Sequence, residues 1–263
     1  MSVLDKINDI LNLFLDLESE LSLDEISSRA GLNKTTARRL AISMIKAGWL
    51  RQPQPRKKYS LGMRFLDYAQ ALKRETPIVA IAQPYLAELG RATDETVSLA
   101  VWDGKTAAIC LSIHPDHPLR VTSYEGTMQV LHHSSLGKAL LAELPDAEIA
   151  GMYRQPLRRF TPNTITDLDD LLTNLRIVRK EGVAIDDEEG YVGVRGIGAT
   201  VKLNGKVLIG AITVLGPSTR ITREKMTEFI PVVRDCAARI SSALSGRDDK
   251  KPVLRRGDQP DLR

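Results

Sequence analysis

Cysteine is nearly missing from this chain: Cys110 and Cys236 are the only two among 263 residues. That excludes a disulfide framework and points to an intracellular, cytoplasmic protein. No stretch approaches the roughly 20 consecutive apolar residues of a membrane span, so no membrane partner is expected. The chain also lacks the charged-then-apolar opening of a secretory leader. Four histidines leave little material for a metal site, and aromatics make up only 5% of the residues. What remains is ordinary for a globular protein: 43% apolar and 27% charged, in a length that suits about two domains at roughly 100–200 residues each.

Acidic residues have a local gap of their own. Residues 1–28 carry seven acids and a single base, Lys6, whereas Arg29 to Arg64 contain ten Lys or Arg and no Asp or Glu. A basic block of this kind is the electrostatic footprint of a polyanion partner. A charge run is more often just a solvated face, so its placement on structure decides between the two.

Leu4, Ile7, Ile10, Leu11 and Phe14 recur at helical spacing. Ser22 and Glu25 form a capping box that opens a second helix through Ile26 to Ala30. After a turn at Gly31-Leu32, Asn33 can cap a third helix to about Ala47, with Ala37, Leu40, Ala41, Met44 and Ile45 inward and Gly48 as a left-handed stop. This is helix–turn–helix spacing. Lys34, Thr35, Thr36, Arg38 and Arg39 then occupy the first two turns of the third helix, where a recognition helix meets base edges. Trp49–Arg51 and Tyr59–Leu61 read as two short strands around a wing carrying Arg56, Lys57 and Lys58, suited to phosphate or minor-groove contact. The plainer alternative, a winged-helix protein-interaction module, does not account for the charge segregation.

Met63, Leu66, Tyr68, Ala69 and Leu72 give a linker helix over 63–76. A helix from Ile78 to Leu89 follows, with Pro84 inside it. Strands are expected at Glu95–Trp102, Thr106–Ile113 and Leu119–Ser123, then helices at Gly137–Leu144, Asp146–Tyr153 and Asp167–Glu181. A second strand run, Val192–Leu203 and Lys206–Leu215, is joined by Asn204-Gly205, a strong hairpin signal. A last helix spans Thr222–Leu244. The whole is α+β: a winged helix–turn–helix over 1–62, the linker, a sensor-like domain over 77–246, and a charged tail over 247–263 that is expected to be disordered.

Three segments carry a resemblance. They are Leu40-Ala41-Ile42-Ser43-Met44-Ile45-Lys46-Ala47-Gly48-Trp49-Leu50, Leu136-Gly137-Lys138-Ala139-Leu140-Leu141-Ala142, and Gly182 through Asp186-Asp187-Glu188-Glu189 to Gly193-Val194-Arg195-Gly196-Ile197-Gly198, followed by Ile212-Thr213-Val214-Leu215-Gly216-Pro217. Together they resemble the IclR family of bacterial transcription regulators over residues 1 to about 246. The resemblance implies a GAF-like effector-binding domain, a homodimer or dimer of dimers on a double-stranded DNA operator, and catabolic genes controlled by a small carboxylate. Carried over position by position, the implied effector contacts are Ser135 and Leu136, through backbone amides, together with Asp186, Val194, Gly196, Thr213 and Leu215. Val121 and Gln129 are expected to line the opposite wall. Gly196 and Leu215 depart from the small polar residues of similar regulators and favour a ligand with an apolar or ring-bearing body.

Other chemistry reads poorly. Asp186 to Glu189 cannot all face one site, since a strand alternates its side chains. Asp186 alone takes the pocket role, and the others are expected to be solvated or paired with Arg195 and its neighbours. A buried carboxylate facing an acidic ligand requires that one of them be protonated or that a donor intervene. His132-His133 and His114/His117 lack further metal ligands, so no metal or cofactor is expected. Gly137-Lys138 lacks the rest of a phosphate loop, and Ser134 and Ser135 lack a nucleophile elbow. The rival reading is a small-acid-processing enzyme fused to a DNA-binding head, using Asp186, His132 or Ser135; turnover would reveal it. A ligand-free interaction module is a third.

Overall fold

The computed structural model describes residues 2–15, 20–53, 57–75, 77–153 and 156–246. Arg56 of the expected wing and the expected tail over 247–263 lie outside the described residues. The chain separates into two compact units, Met1–Thr76 and Pro77–Arg263.

In the first unit, helices α1 (Val3–Asn12), α2 (Leu23–Arg29) and α3 (Lys34–Lys46) precede strands β1 (Leu50–Arg51) and β2 (Ser60–Leu61), and α4 (Arg64–Glu75) follows. The Ser22 amide donates to Glu25 Oε2 at 2.7 Å and the Glu25 amide to Ser22 Oγ at 3.3 Å, completing the box that starts α2. Asn33 Oδ1 takes the Thr36 amide at 2.8 Å and starts α3. Gly48 follows α3 with φ +75°, a conformation that a Cβ resists. One apolar cluster, including Ile10, Phe14, Ile26, Leu40, Met44, Leu50 and Tyr59, holds α1–α3 and the β1–β2 pair together.

The second unit opens with α5 (Ile78–Thr93), which runs one turn beyond the expected Leu89. Its sheet contains β3 (Thr96–Trp102), β4 (Ala107–Ile113), β5 (Ala184–Asp187), β6 (Val194–Leu203) and β7 (Val207–Pro217). The order is β4-β3-β7-β6-β5, every pairing antiparallel. Asn204 and Gly205 both have positive φ (51° and 67°) at the centre of the tight turn that the Lys206 amide closes on the Leu203 carbonyl at 3.1 Å, between β6 and β7. One face packs on α5 and α9 (Arg223–Ser245) through Val97, Leu99, Ile197, Ile212 and Val214. The other meets α6 (Ser135–Leu141), α7 (Asp146–Met152) and α8 (Leu168–Glu181) through Ala100, Trp102, Ile109, Ala184 and Ala211.

Two local expectations are corrected and one strand is added. Leu119–Ser123 is not a strand; its alternation would turn Leu119 inward, yet Leu119 is 69% exposed. Side chains hold the segment instead, with Arg220 Nη1 donating to the Leu119 carbonyl at 2.9 Å and Thr96 Oγ1 to that of Val121 at 2.5 Å. Helix α6 begins two residues early, because Ser134 Oγ caps the Gly137 amide at 3.0 Å. The start of the acidic motif is strand β5, which pairs with β6 and forms one edge of the sheet.

Candidate nucleic-acid and effector sites

The basic residues of α3 lie where the amphipathic pattern puts them. Leu40, Ala41 and Met44 are buried, while Lys34, Thr35, Arg38 and Arg39 are exposed and Thr36 is half-buried. Lys57 and Lys58 are exposed beside β2. Lys34 already has a partner, its Nζ lying 2.6 Å from Asp24 Oδ1 on α2. Among the described residues, Arg38, Arg39, Lys57 and Lys58 form no ion pair, so their charge is available to an external anion.

In the second unit, sheet register gathers residues that are far apart in sequence. One row across the sheet is Asp186–Gly196–Leu215–Thr96; the next on the same face is Ala184–Gly198–Thr213–Ser98–Ser112. Val194, two residues before Gly196 and paired with Pro217, extends that face. The start of α6 lies across these rows. Ser135 Oγ is 2.8 Å from Thr213 Oγ1, which also donates to the Ile197 carbonyl at 3.1 Å. Ser98 Oγ meets Ser112 Oγ at 3.0 Å. Close approach of helix and sheet depends on Gly198: a Cβ there would fall 2.6 Å from the Ser135 carbonyl oxygen and 3.0 Å from the Leu136 nitrogen. Gly196 meets Ser135 Oγ and a Leu215 methyl in the same way, at 2.8 and 2.6 Å.

Ser135 and Leu136 are therefore the first two helical residues, and a helix cannot itself use the amides of its first turn. Val121 joins this region through its bond from Thr96. Gln129 does not, since its amide donates to the Ala107 carbonyl at 2.8 Å, at the far end of β4 from Ser112. Thr96, Ser98 and Ser112 also belong to the polar patch, although no sequence motif marks them. Their signal is Thr96-x-Ser98 interrupting an otherwise apolar strand, which becomes visible as a site only when β7 lies alongside.

The acidic motif divides as expected, Asp186 inward and its neighbours paired outside, with one exception. Asp187 accepts from Arg195 Nε at 2.6 Å and from Arg223 at 3.0 Å, and Glu188 accepts from the Gly193 amide at 2.7 Å. Asp186 turns inward and is 4% exposed, its Oδ1 taking the Glu189 amide at 2.8 Å. Burial pushes its carboxyl up to about 7, against the pull of the Glu189 and Gly190 amides. Glu189 is the exception: it is 7% exposed, and its Oε1 accepts from Lys138 Nζ, itself completely buried. The chain bends back after β5, so Glu189 returns inward beneath α6 rather than to solvent. Burial also raises the Glu189 carboxyl.

His132 and His133 are buried with ring centroids 5.5 Å apart. The segment before α6 is not extended as a strand, and Phe160 packs on both rings. His132 Nε2 donates to the Arg158 carbonyl at 2.9 Å. Burial, then the neighbouring His132, pushes His133 down to about 4, so both imidazoles pack as neutral rings at pH 7. His117 Nε2 meets Asp94 at 2.7 Å, and His114 Nδ1 lies 3.4 Å from Thr96 Oγ1. Among the described residues, no three His, Cys, Asp or Glu side chains gather as a metal site.

A winged helix with an outward cationic face, joined to an α+β domain with a buried polar patch beneath a helix, defines an effector-responsive DNA-binding regulator. Comparison with known proteins is specific. Residues 3–54 match the IclR helix-turn-helix domain, and residues 69–242 match the bacterial transcriptional regulator IclR C-terminal domain. The chain is 30% identical over 224 residues to the HTH-type transcriptional repressor AllR of Salmonella paratyphi A, covering 85% of this chain and 82% of that one. It is 30% identical over 248 residues to the HTH-type transcriptional regulator BhcR of Paracoccus denitrificans, covering 94% and 88%. An IclR homolog from Microbacterium hydrocarbonoxydans, solved in complex with 4-hydroxybenzoate, shares the fold with a TM-score of 0.78 at 22% identity, over 93% of this chain and all of that one. The chain belongs to the IclR family of transcriptional regulators. No described helix is long and apolar enough to cross a membrane.

Proposed function

We propose that Lys34, Thr35, Thr36, Arg38 and Arg39 read operator bases in the major groove, with Arg56, Lys57 and Lys58 on the flanking backbone. A homodimer or dimer of dimers presents two such readers to an imperfect palindrome. The protein works in the cytoplasm and controls catabolic genes. It catalyses nothing: its second unit holds a small carboxylate whose occupancy changes operator affinity, by about 1–3 kcal/mol if the coupling is typical.

The observation that carries the effector reading is the buried meeting of Ser135 Oγ and Thr213 Oγ1, 2.8 Å apart, beside inward-facing Asp186. The effector's carboxylate head accepts from the Ser135 and Leu136 amides, and from the Ser135 hydroxyl once that proton turns away from Thr213 Oγ1. Its body lies against Leu215, Val194, Val121 and Gly196. Leu215 supports an apolar or ring-bearing body, and the 4-hydroxybenzoate held by the Microbacterium relative makes aromatic acids the first class to try.

The test is thermal shift of the full chain against aliphatic and aromatic carboxylates, with hits repeated on DNA from its own promoter. A ligand that binds only the folded state must raise the melting temperature. A hit that also changes DNA affinity is the expected result. Turnover of a hit would restore the enzyme reading, and no hit at millimolar ligand would overturn the effector reading.

A further inference from the structure

Asp186 and Glu189 are buried three residues apart, and Lys138 is the cation buried with them. The ammonium is taken by Glu189, whose second oxygen, Oε2, is buried without a hydrogen-bond partner. Asp186 faces no cation at pairing distance among the described residues; it holds the Glu189 amide on Oδ1. The other charged groups of the acidic motif are spent elsewhere, Asp187 on Arg195 and Arg223, and Glu188 on Arg195 at 3.4 Å. From the segment before α6, His133 closes over Gly190, where a Cβ would stand 2.7 Å from its Nδ1 and 3.7 Å from Asp186 Oδ2. His133 adds no positive charge, being held neutral by burial. The Lys138 charge from α6 favours the ionised form of Asp186 and the Glu189 charge disfavours it, while neutral His133 lies on the other side of Gly190; none of the three forms an ion pair with Asp186.

From this arrangement we propose that Asp186 is a proton-carrying hydrogen-bond donor in the effector pocket, and that Lys138 and Glu189 are positioning residues that keep it so by neutralising each other. The inference rests on the effector site proposed above and answers its central difficulty, a carboxyl facing an acid ligand. A protonated Asp186 donates to a ligand carboxylate or carbonyl oxygen where an ionised one would repel it. The ligand class that follows is a monoanionic acid with an acceptor oxygen reaching β5, bound with uptake of one proton whenever Asp186 starts out ionised.

The test uses the full chain without ligand, by urea unfolding from pH 5 to pH 8. Unfolded Asp loses its proton near pH 3.9, whereas burial holds folded Asp186 up to about 7. Between those values the folded state keeps a proton that the unfolded state releases, so stability from this group is present at low pH and lost as pH rises toward 7. Relative to Asp186→Asn, the wild-type unfolding constant is expected to rise about tenfold per pH unit from pH 5 to 7, then level off. A flat difference across the range overturns the proposal. Glu189→Gln releases the Lys138 ammonium to Asp186 and should erase the slope, while Glu189→Asp should restore it. A slope unchanged in Glu189→Gln removes Lys138 and Glu189 from the assignment. Asp186→Asn replaces one neutral group by another of the same shape, so it keeps the test open should Glu189→Gln fail to fold. Thermal shift with 4-hydroxybenzoate, benzoate and lactate separates the two readings. A hit beside a flat pH difference leaves the pocket and removes the proton; no hit beside a sloped difference does the reverse.

Discussion

The two units keep their ionic chemistry in opposite places. In the first, charge is outside: α3 turns Leu40 and Met44 into the core and Arg38 and Arg39 into solvent, and the apolar interior contains no ion pair among the described residues. In the second, an ion pair is inside: Lys138 of α6 meets Glu189, with the Asp186 carboxyl beside them, on the sheet face away from the apolar layer of α5 and α9. A polymeric anion is met on a surface, where water screens every contact and affinity comes from many modest ones. A single small acid is met in an enclosure, where a few groups act at low dielectric and each unpaired one is costly. Substitutions should therefore damage stability in the second unit and binding in the first.

The largest effect is expected at Lys138. Lys138→Met leaves Glu189 buried without its cation, and breaking such a pair costs about 3–5 kcal/mol. Urea unfolding at pH 7 measures it, and Lys138→Met combined with Glu189→Gln should recover most of the loss. A single-variant loss below 1 kcal/mol, a floor set by the weak energetics of solvated pairs, would place the pair in water and break the contrast between the units.

Next is Gly198→Ala. Its new Cβ would meet backbone atoms, the Ser135 oxygen and the Leu136 nitrogen, which cannot swing aside as a flexible side chain would. Helix α6 must lift, at about 1–3 kcal/mol for an overpacked contact. Thermal melts read that loss, and any carboxylate hit should weaken with it. A variant as stable as wild type, with its ligand response intact, would show that α6 does not need this close seat.

The same contrast explains how much was legible in the chain. Helix α2 follows from Ser22 and Glu25, three residues apart, and the β6–β7 turn from adjacent Asn204 and Gly205; each rests on neighbours in sequence. The basic face of α3 is likewise a local periodicity. The polar patch is not local: Ser135 reaches Thr213 across 78 positions, and Asp186 shares a row with Thr96 only through two intervening strands. Individual positions such as Asp186 and Thr213 come from family resemblance, whereas Ser98 and Ser112 require the strand register. Lys138 and Glu189 were hidden for a different reason. A Lys on a short helix and the last of four acids both read as solvent-facing, and only the turn after β5 brings them together. Leu119–Ser123 errs the other way: its alternation matches a strand, but β4 is the sheet edge and the segment is tied by Arg220 and Thr96 instead.

For the first unit, Arg38→Ala and Arg39→Ala should leave melting unchanged, since exposed positions outside caps and ion pairs contribute little to stability. Operator affinity should fall by about 1–3 kcal/mol for each lost base contact, tenfold or more. Fluorescence anisotropy with promoter DNA reads this against a scrambled duplex. Equal loss on both duplexes would reassign the arginine to the phosphates, and no loss on either would remove α3 as the reading helix.

The smallest effect separates two lysines that look equivalent in the sequence. Lys57 has no ion pair among the described residues, while Lys34 is held 2.6 Å from Asp24. A lysine that neutralises a phosphate releases about one counterion, so Lys57→Ala should flatten the salt dependence of DNA binding by about one unit of slope. Lys34 must first leave Asp24, and while the pair persists its charge is already balanced within the protein. Lys34→Ala should therefore change the slope less than Lys57→Ala, and Asp24→Asn should steepen it by freeing Lys34. The measurement is a salt titration of all three variants on one duplex. Equal slopes for the two alanine variants would mean that DNA draws Lys34 away from Asp24, and that the outward charge of this unit is shared evenly between helix and wing.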